Sequence, residues 1–302
     1  MNTNSELHIS VLSEEVIKYL NPINGDKILD GTVGCAGHSK RLLERILPQG
    51  FLIGIDRDGQ AINIAKKRLS AEYPEKNYKI EHANFDELEV ILKNNGIDKL
   101  NGALFDLGIS SFQIDTPQRG FSIKENGPLD MRMDLSQRIT AFDVVNRYPE
   151  KQLADVIYQF GEERASRKIA RYIVNARKTK KIETTYELAG IVLKALSRGG
   201  KRSRIHPATK TFQAIRIEVN NELGSIKQAL EKVVTFLAPK ARLCVISFHS
   251  LEDRIIKQFF RELAKNKEDF KILTKKPIIP TEEETAANPR ARSAKLRVIE
   301  KN

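Results

Sequence analysis

Acidic side chains directly follow three apolar segments that the sequence predicts to be strands, and a polar run follows a fourth. The acids are Asp30, Asp56 and Asp106, and the run is Ser247 to His249. The carboxyl ends of parallel strands share one edge of an open α/β sheet, and such sheets bind their ligands there. One aspartate after one strand is weak evidence because Asp also caps helices. Three of them favour a binding site at this edge.

Two of these positions suggest a nucleoside ligand. Asp56 lies 25 residues beyond Gly31, where an acidic residue commonly accepts hydrogen bonds from ribose hydroxyls. Phe85 follows the third predicted strand, and its ring is placed either to stack on an adenine or to join the core. The sequence does not separate these two roles for Phe85.

A glycine-rich turn lies within the stretch Asp26 to His38, between the first predicted strand and a helix. Its glycines are Gly31, Gly34 and Gly37, spaced G-x-x-G-x-x-G rather than in the dinucleotide pattern G-x-G-x-x-G. We interpret the turn as one that brings backbone close to a ligand without phosphates. S-adenosylmethionine fits because it joins an adenosine to an amino acid. The alternative is a plain glycine loop between strand and helix.

The elements that position these residues alternate between strand and helix, which predicts a parallel sheet with helices on both faces. A long loop from Ile109 to Arg138 interrupts the pattern, and helical periodicity follows from Ala141 to about Ser197. We therefore predict an inserted helical domain. Beyond it we predict a long helix from Ala208 to Leu237, either continuous or broken near Gly224. A strand from Arg242 to Ser247 and a closing antiparallel hairpin formed by 270–273 and 296–299 follow.

The charge balance favours a polyanionic partner. The 302 residues include 51 Lys and Arg against 39 Asp and Glu, a formal net charge of +12. Because each neutralised phosphate releases counterions, such a chain suits nucleic acid. The inserted helical segment is itself basic, and a solvated surface with a hinge is the alternative to a nucleic-acid contact. The basic cluster that closes it supplies the RNA-binding candidates Arg198, Lys201, Arg202 and Arg204.

Several classes of protein have no support in the sequence. The two cysteines, Cys35 and Cys244, form neither a disulfide framework nor a zinc-ligand pattern, which suits a reducing cytoplasm. The start of the chain lacks the pattern of a signal peptide, and no apolar run has the length of a membrane span. Motifs of zinc hydrolases and serine hydrolases are missing, so we predict no metal site and no membrane association.

With these features placed, the sequence resembles the MraW/RsmH family of bacterial methyltransferases that act on small-subunit ribosomal RNA. The resemblance covers nearly the whole chain, and its motifs occur in the family's order. They include D-G-T-V-G-C-A-G-H-S from Asp30, D-L-G-I-S-S-F-Q-I-D from Asp106, G-P-L-D-M-R-M-D from Gly127, H-P-A-T-K-T-F-Q-A-I-R-I from His206 and S-F-H-S-L-E-D-R from Ser247.

The resemblance implies an α/β fold, a class I S-adenosylmethionine-dependent (Rossmann-like) methyltransferase sheet with an inserted all-helical domain. It implies S-adenosylmethionine as cofactor and methylation of the exocyclic N4 amine of one decoding-region cytidine in 16S ribosomal RNA. The substrate would be an assembled or nearly assembled small subunit. We expect the methyltransferase domain over 1–111 and 206–302 and the insert over 112–205. Motif positions imply cofactor contacts from Ala36, Gly37, His38, Asp56, Phe85, Asp106 and Gln113.

Two residues depart from the family pattern. Ala36 stands where the family usually has glycine, and Phe112 stands where it usually has proline. An alanine is tolerated at position 36 only if its φ is negative, because a Cβ disfavours the left-handed conformation. We therefore expect a negative φ at Ala36.

The residue that orients the target amine is not identified by the motifs. Many amino-group methyltransferases use Asp/Asn-Pro-Pro-aromatic, but this chain has Asp106-Leu107-Gly108-Ile109. The catalytic candidates that remain are Asp106, Ser110, Ser111, Ser247 and His249. A nicotinamide-dependent oxidoreductase and a non-catalytic RNA-binding factor are the alternative functions, and binding of S-adenosylmethionine or NAD separates the three.

Overall fold

The computed structural model describes residues 10–196 and 206–302. The RNA-binding candidates Arg198, Lys201, Arg202 and Arg204 lie outside the described residues. The chain forms two compact units. The first comprises the described residues up to Gly108 together with Leu223–Asn302, and the second comprises Ile109–Glu222.

The first unit alternates strands and helices, as the sequence predicts. Its strands are β1 (Lys27–Asp30), β2 (Phe51–Asp56), β3 (Tyr78–His82), β4 (Leu100–Asp106), β5 (Leu237–Ser247), β6 (Phe270–Ile272) and β7 (Lys295–Lys301). Its helices are α1 (Ser13–Leu20), α2 (Gly37–Ile46), α3 (Gly59–Ser70), α4 (Leu88–Asn94), α11 (Glu222–Phe236, which begins at the boundary), α12 (Ser250–Asn266) and α13 (Glu282–Ala287).

All seven strands form one sheet in the order β3-β2-β1-β4-β5-β7-β6. The strands from β3 to β5 are parallel, while β7 runs antiparallel to both β5 and β6. This arrangement confirms the closing hairpin. The strand order reverses direction between β1 and β4, and a reversal of this kind opens a ligand crevice at the carboxyl ends of the two strands. Asp30 and Asp106 end those strands.

Helices cover both faces of the sheet. Adjacent residues of a strand point to opposite faces, so they pack in different core clusters. Leu29 and Phe105 belong to a core cluster that includes side chains of α4, α11 and α12. Ile28 and Leu104, one residue earlier on the same strands, belong to a second cluster with side chains of α1, α2 and α3. Burial of both faces explains why these strands are short, continuous apolar runs.

The second unit is helical and has its own apolar core. Its helices are α5 (Ser111–Ile114), α6 (Ala141–Arg147), α7 (Glu150–Gly161), α8 (Ser166–Thr179), α9 (Thr185–Leu196) and α10 (Thr209–Asn220). The predicted helical periodicity from Ala141 to Ser197 is confirmed as far as Leu196. No helix in the two described ranges of the chain has the length and apolar character needed to cross a bilayer.

The helix predicted from Ala208 to Leu237 is interrupted, three residues before Gly224, the residue near which the sequence allows a break. The chain forms α10 and α11 instead, and between them Asn221 adopts a left-handed conformation with φ 45°. The Asn220 side chain accepts a hydrogen bond from Met133 N and donates one to Met131 O, at 2.7 Å each. Helix α10 packs against α6 and α7. The division of the chain into the two compact units therefore falls after Gly108 and after Glu222.

Candidate active site

Asp30 organises the turn that follows β1. Its carboxylate accepts hydrogen bonds from the Ser39 hydroxyl at 2.6 Å and from the Thr32 backbone N–H at 3.2 Å. Burial raises the pKa of the Asp30 carboxyl above its ordinary value, and the Ser39 hydroxyl opposes that shift. Asp30 is fully buried. It therefore joins the end of β1 to the first turn of α2 and fixes the shape of the glycine turn.

Ala36 is the N-cap residue of α2 and has a positive φ of 64°. The expectation of a negative φ is wrong. The side chain is fully buried in the core cluster that contains Val33 and Leu42, so packing favours a methyl group that the backbone conformation disfavours. No side chain caps α2 within the described part of the chain. Its first N–H groups, which include those of Gly37 and His38, therefore suit an anionic ligand group.

Asp56 ties the end of β2 to the glycine turn. Its Oδ2 accepts a hydrogen bond from Gly34 N at 2.8 Å, and its Oδ1 accepts one from Asp58 N at 2.9 Å. Burial raises the pKa of the Asp56 carboxyl, and the two N–H donors oppose that shift without cancelling it. Each carboxylate oxygen offers two acceptor positions, so both retain capacity for a ligand hydroxyl.

His38 and Asp106 face each other across the switch point of the sheet. His38 Nε2 lies 3.5 Å from Asp106 Oδ2, which is an ion-pair distance and long for a hydrogen bond. Burial lowers the pKa of the His38 imidazole, but the Asp106 and Asp30 carboxylates outweigh burial and leave this pKa above its ordinary value. Among the described residues, neither His38 Nε2 nor Asp106 Oδ1 has a hydrogen-bond partner. Buried polar atoms of this kind normally meet a partner, which a ligand would supply.

Phe85 lies in a single 3₁₀ turn beyond β3. Its ring packs edge to face on Phe105, with centroids 5.3 Å apart and an interplanar angle of 86°. Asn84 caps the turn in a reciprocal box with Glu87, which fixes the start of the segment. Phe85 is half-buried. One side of the ring is therefore part of the core, and a role in adenine stacking stays a prediction.

The end of β5 lies beside the end of β4, because Asp106 pairs with Ile246 in the sheet. Ser247 is fully buried, and its hydroxyl has a long contact of 3.5 Å with Lys295 O. A Cβ at Gly108 would lie 3.4 Å from the Phe248 ring, so the aromatic ring lies directly over this glycine. Phe248 therefore packs beside the loop that follows Asp106.

His249 is the N-cap residue of α12. Its Nδ1 accepts a hydrogen bond from Glu252 N at 3.4 Å, while Glu252 Oε2 accepts from His249 N at 3.3 Å and from Phe248 N at 2.8 Å. His249 Nε2 lies 3.2 Å from Glu252 Oε1. His249 itself thus caps the helix, and this local role accounts for its orientation. Its catalytic role stays a prediction.

Three further candidates lie in the second unit. Ser110 is the N-cap residue of α5, and its hydroxyl accepts a hydrogen bond from Gln113 N at 3.2 Å. Gln113 Oε1 accepts from Ser110 N at 3.0 Å, and the glutamine side chain is buried. Ser111 is the first residue of this short helix. The motif that the resemblance singled out is therefore a helix-capping box, and the binding roles of Ser110, Ser111 and Gln113 stay predictions.

Sequence reasoning missed the side chains that support the site. The Thr32 hydroxyl accepts a hydrogen bond from Asp106 N at 2.6 Å, and it thereby connects the glycine turn to β4. Ser39 holds Asp30 as described above, and Asp58 caps α3 by accepting from Gln60 N and Ala61 N. The Asp58 cap alone had a local sequence signal, an acid directly before a helical stretch. The bonds of Thr32 and Ser39 reach across the chain and have no such signal.

The arrangement defines the class of protein. A sheet of five parallel strands with an antiparallel pair at one edge, whose ligand edge carries a glycine turn and three acids, is the class I methyltransferase fold. The chain belongs to the MraW methylase family, whose sequence profile matches residues 5–302.

Close relatives extend over nearly the whole chain. The ribosomal RNA small subunit methyltransferase H of Persephonella marina is 50% identical over 97% of this chain and 99% of that protein. The protein of the same name from Caldicellulosiruptor bescii is 48% identical, with the same coverage. The one from Clostridioides difficile is 45% identical over 97% of this chain and 98% of that protein. The match to these relatives therefore extends over the chain as a whole.

Proposed function

We propose that this protein transfers a methyl group from S-adenosylmethionine to the exocyclic N4 amine of a decoding-region cytidine in small-subunit ribosomal RNA. The relatives named above are small-subunit ribosomal RNA methyltransferases. The observation that carries the proposal is the group of Asp30, Asp56 and Asp106 around the glycine turn at the switch point of the sheet. The substrate proposed is an assembled or nearly assembled small subunit in the cytoplasm.

The residues at this edge fit the cofactor. When bound, S-adenosylmethionine supplies an electrophilic methyl group on a sulfonium. The uncapped start of α2, with Gly37 and His38, offers N–H donors to an amino-acid carboxylate. Asp56 has acceptor capacity left for ribose hydroxyls. Asp106 Oδ1 has no partner among the described residues and is available for a ligand N–H or O–H.

The remaining cofactor residues are proposed from the family motif. Ala36 contributes backbone at the start of α2, and Phe85 offers the exposed part of its ring to the adenine. Gln113 belongs to the capping box of α5. The roles of these three residues are inferred from their positions in the motifs. The ring packing of Phe85 and the capping box of Gln113 support the inference, because each contact holds the side chain in one orientation.

The protein's part in the chemistry is to orient a poor nucleophile. The lone pair of the cytosine amine is delocalised into the ring, so an acceptor for one N–H is needed to direct that lone pair at the methyl group. Ser247 is fully buried. His249 caps α12, and we assign its ring to orienting the cytosine rather than to accepting the amine proton. We therefore favour Asp106 as this acceptor, ahead of Ser110 and Ser111, because its carboxylate ends β4 at the switch point of the sheet.

The decisive experiment maps modified nucleotides in small-subunit ribosomal RNA from cells with and without this protein. We expect one cytidine of the decoding region to lose an N4 methyl group in the deleted strain. Purified protein with S-adenosylmethionine should restore that methyl group on subunits isolated from the strain. Equilibrium dialysis with S-adenosylmethionine and with NAD compares the affinity of the protein for the two cofactors. Binding of NAD alone would contradict the proposal.

A further inference from the structure

Helix α8 of the second unit has an unusual charge pattern. Its fourteen residues, S-R-K-I-A-R-Y-I-V-N-A-R-K-T, include five basic residues and not one acid. Solvated helix faces usually mix both signs, because neighbouring opposite charges stabilise a helix and like charges destabilise it. A helix with charges of one sign indicates a surface that meets an oppositely charged partner.

The packing of α8 separates an inner and an outer face. Ile169, Ala170 and Ile173 are buried in the helical core, and α8 packs against α7 and α9. The side chains at the opposite positions are exposed. We call them the α8 basic face, and its members are Arg167, Lys168, Arg171, Tyr172 and Lys178.

Several other basic side chains nearby have structural roles instead. Arg177 turns inward and donates hydrogen bonds to Val145 O and Tyr148 O, both at 2.6 Å. Burial lowers the pKa of its guanidinium. Lys180 pairs with Glu187 at 2.8 Å. These contacts within the protein account for the basic character of Arg177 and Lys180 without a bound RNA. The basic residues of the α8 basic face need another explanation.

The members of the α8 basic face are only loosely engaged. In the described part of the chain Lys168 has no acidic partner, and its Nζ lies 5.9 Å from the centre of the Tyr172 ring. Arg171 lies 3.8 Å from Glu150, and Arg167 lies 3.3 Å from Asp155, both in exposed pairs. Pairs of this kind contribute little to stability, because solvent screens them. The cations are therefore free to exchange their present contacts for phosphates.

The geometry of the face fits RNA. Lys168, Arg171 and Lys178 occur at intervals of one or two helical turns, which forms a row of charge about 15 Å long. A row suits a linear polyanion. Tyr172 is 40% exposed within this row. An exposed aromatic ring beside cations is the arrangement with which proteins stack unpaired bases of single-stranded RNA.

We propose that the α8 basic face binds the phosphate backbone of the ribosomal RNA substrate beside an unpaired base that stacks on Tyr172. The proposal rests on the proposed function, since it assigns a docking surface to the same substrate. It adds residues that the sequence motifs do not identify, because the family motifs quoted above do not include α8.

The first test measures the salt dependence of binding to transcribed small-subunit ribosomal RNA. In the double variant Lys168→Gln and Arg171→Gln, we expect the slope of log affinity against log salt to fall by about 1.4, at about 0.7 for each lost contact with single-stranded phosphate. The matched control is Lys66→Gln with Lys67→Gln, two exposed residues of α3 that remove the same charge. Equal slopes for the two double variants would overturn the proposal.

The second test replaces the aromatic ring. Tyr172→Leu should weaken RNA binding by about five- to a hundredfold at unchanged salt slope, while Tyr172→Phe should bind almost as the parent does. Thermal unfolding midpoints should stay unchanged in all variants, because the substituted side chains are exposed. Full affinity of Tyr172→Leu would contradict the stacking contact and, with it, the proposal.

The outcomes separate this proposal from the proposed function. If the parent protein methylates the ribosomal RNA and the α8 variants bind it normally, only the α8 proposal fails. If the variants bind transcribed RNA normally and lose affinity only for intact subunits, the face contacts a ribosomal protein and the proposal is wrong. If the parent protein neither binds nor methylates the RNA while still binding S-adenosylmethionine, the proposed function fails.

Discussion

Asp56 Oδ2 accepts a hydrogen bond from the backbone N–H of Gly34 at 2.8 Å. This bond joins the end of β2 to the glycine turn that follows β1, two segments that lie 22 residues apart. Gly34 has a φ of 50°, a conformation that glycine adopts readily. The carboxylate therefore holds the turn in place and presents its remaining acceptor positions to a ligand.

Asp56→Ala should weaken binding of S-adenosylmethionine about ten- to a hundredfold, because hydrogen bonds to a charged acceptor contribute roughly 1.5–3 kcal/mol. Calorimetric titration of the folded variant measures the effect. The variant also leaves the N–H of Gly34 without its acceptor, so some loss of stability is expected. Asp58→Ala is the matched control, since it removes the cap of α3 at a cost of about 1 kcal/mol and should keep cofactor affinity. Unchanged affinity of Asp56→Ala would remove Asp56 from the cofactor site.

Ala36→Gly should change the free energy of unfolding by less than about 0.5 kcal/mol. Relief of the left-handed conformation, roughly 1–2 kcal/mol, offsets the loss of a buried methyl and the added backbone freedom. Ala65→Gly is the matched control, because Ala65 is also fully buried in the same core cluster but lies inside α3. It should lose about 1.5–2 kcal/mol. Denaturant unfolding measures both, and equal losses would show that Ala36 is unstrained.

Asp106→Asn should lower the pKa of His38, because burial then acts without the Asp106 charge that outweighs it. In the parent protein the pKa of His38 lies above its ordinary value of about 6.5. The His38–Asp106 pair therefore makes its full contribution to the free energy of unfolding below about pH 6.5. That contribution is lost as the pH rises through the pKa of His38 in the folded protein. The parent should therefore gain stability over the variant as the pH falls through this window. An NMR titration of the His38 ring with unfolding at several pH values checks both effects, and an unmoved His38 pKa would contradict the pairing.

His249→Ala should lower turnover roughly tenfold with cofactor affinity nearly intact, if the imidazole orients the cytosine. It should also destabilise α12 by about 0.5–2 kcal/mol through loss of the cap. His249→Asn separates the two effects, because asparagine caps helices well but lacks the ring. We expect the asparagine variant to recover stability and not turnover. Full turnover of either variant on its ribosomal substrate would show that His249 serves only as a cap.

The sequence by itself determined the order of the elements and the edge at which chemistry gathers. Apolar runs followed by Asp30, Asp56 and Asp106 predict strands with acids at their carboxyl ends, and the structure confirms those strands. The strands can be predicted because a strand that is buried on both faces consists of consecutive apolar residues. Such a run is visible in a short stretch of the sequence. The closing hairpin was predictable for the same reason.

Tertiary structure alone decided which partners those residues have. The positive φ of Ala36, the pairing of His38 with Asp106 and the place of α10 in the helical unit depend on how distant segments pack. Likewise Arg177 and Lys168 look alike in the sequence, yet one turns inward to carbonyl oxygens and the other faces solvent. A hydrogen bond between remote segments depends on strand register and on the direction of each side chain, and neither is encoded by a local pattern of residue types.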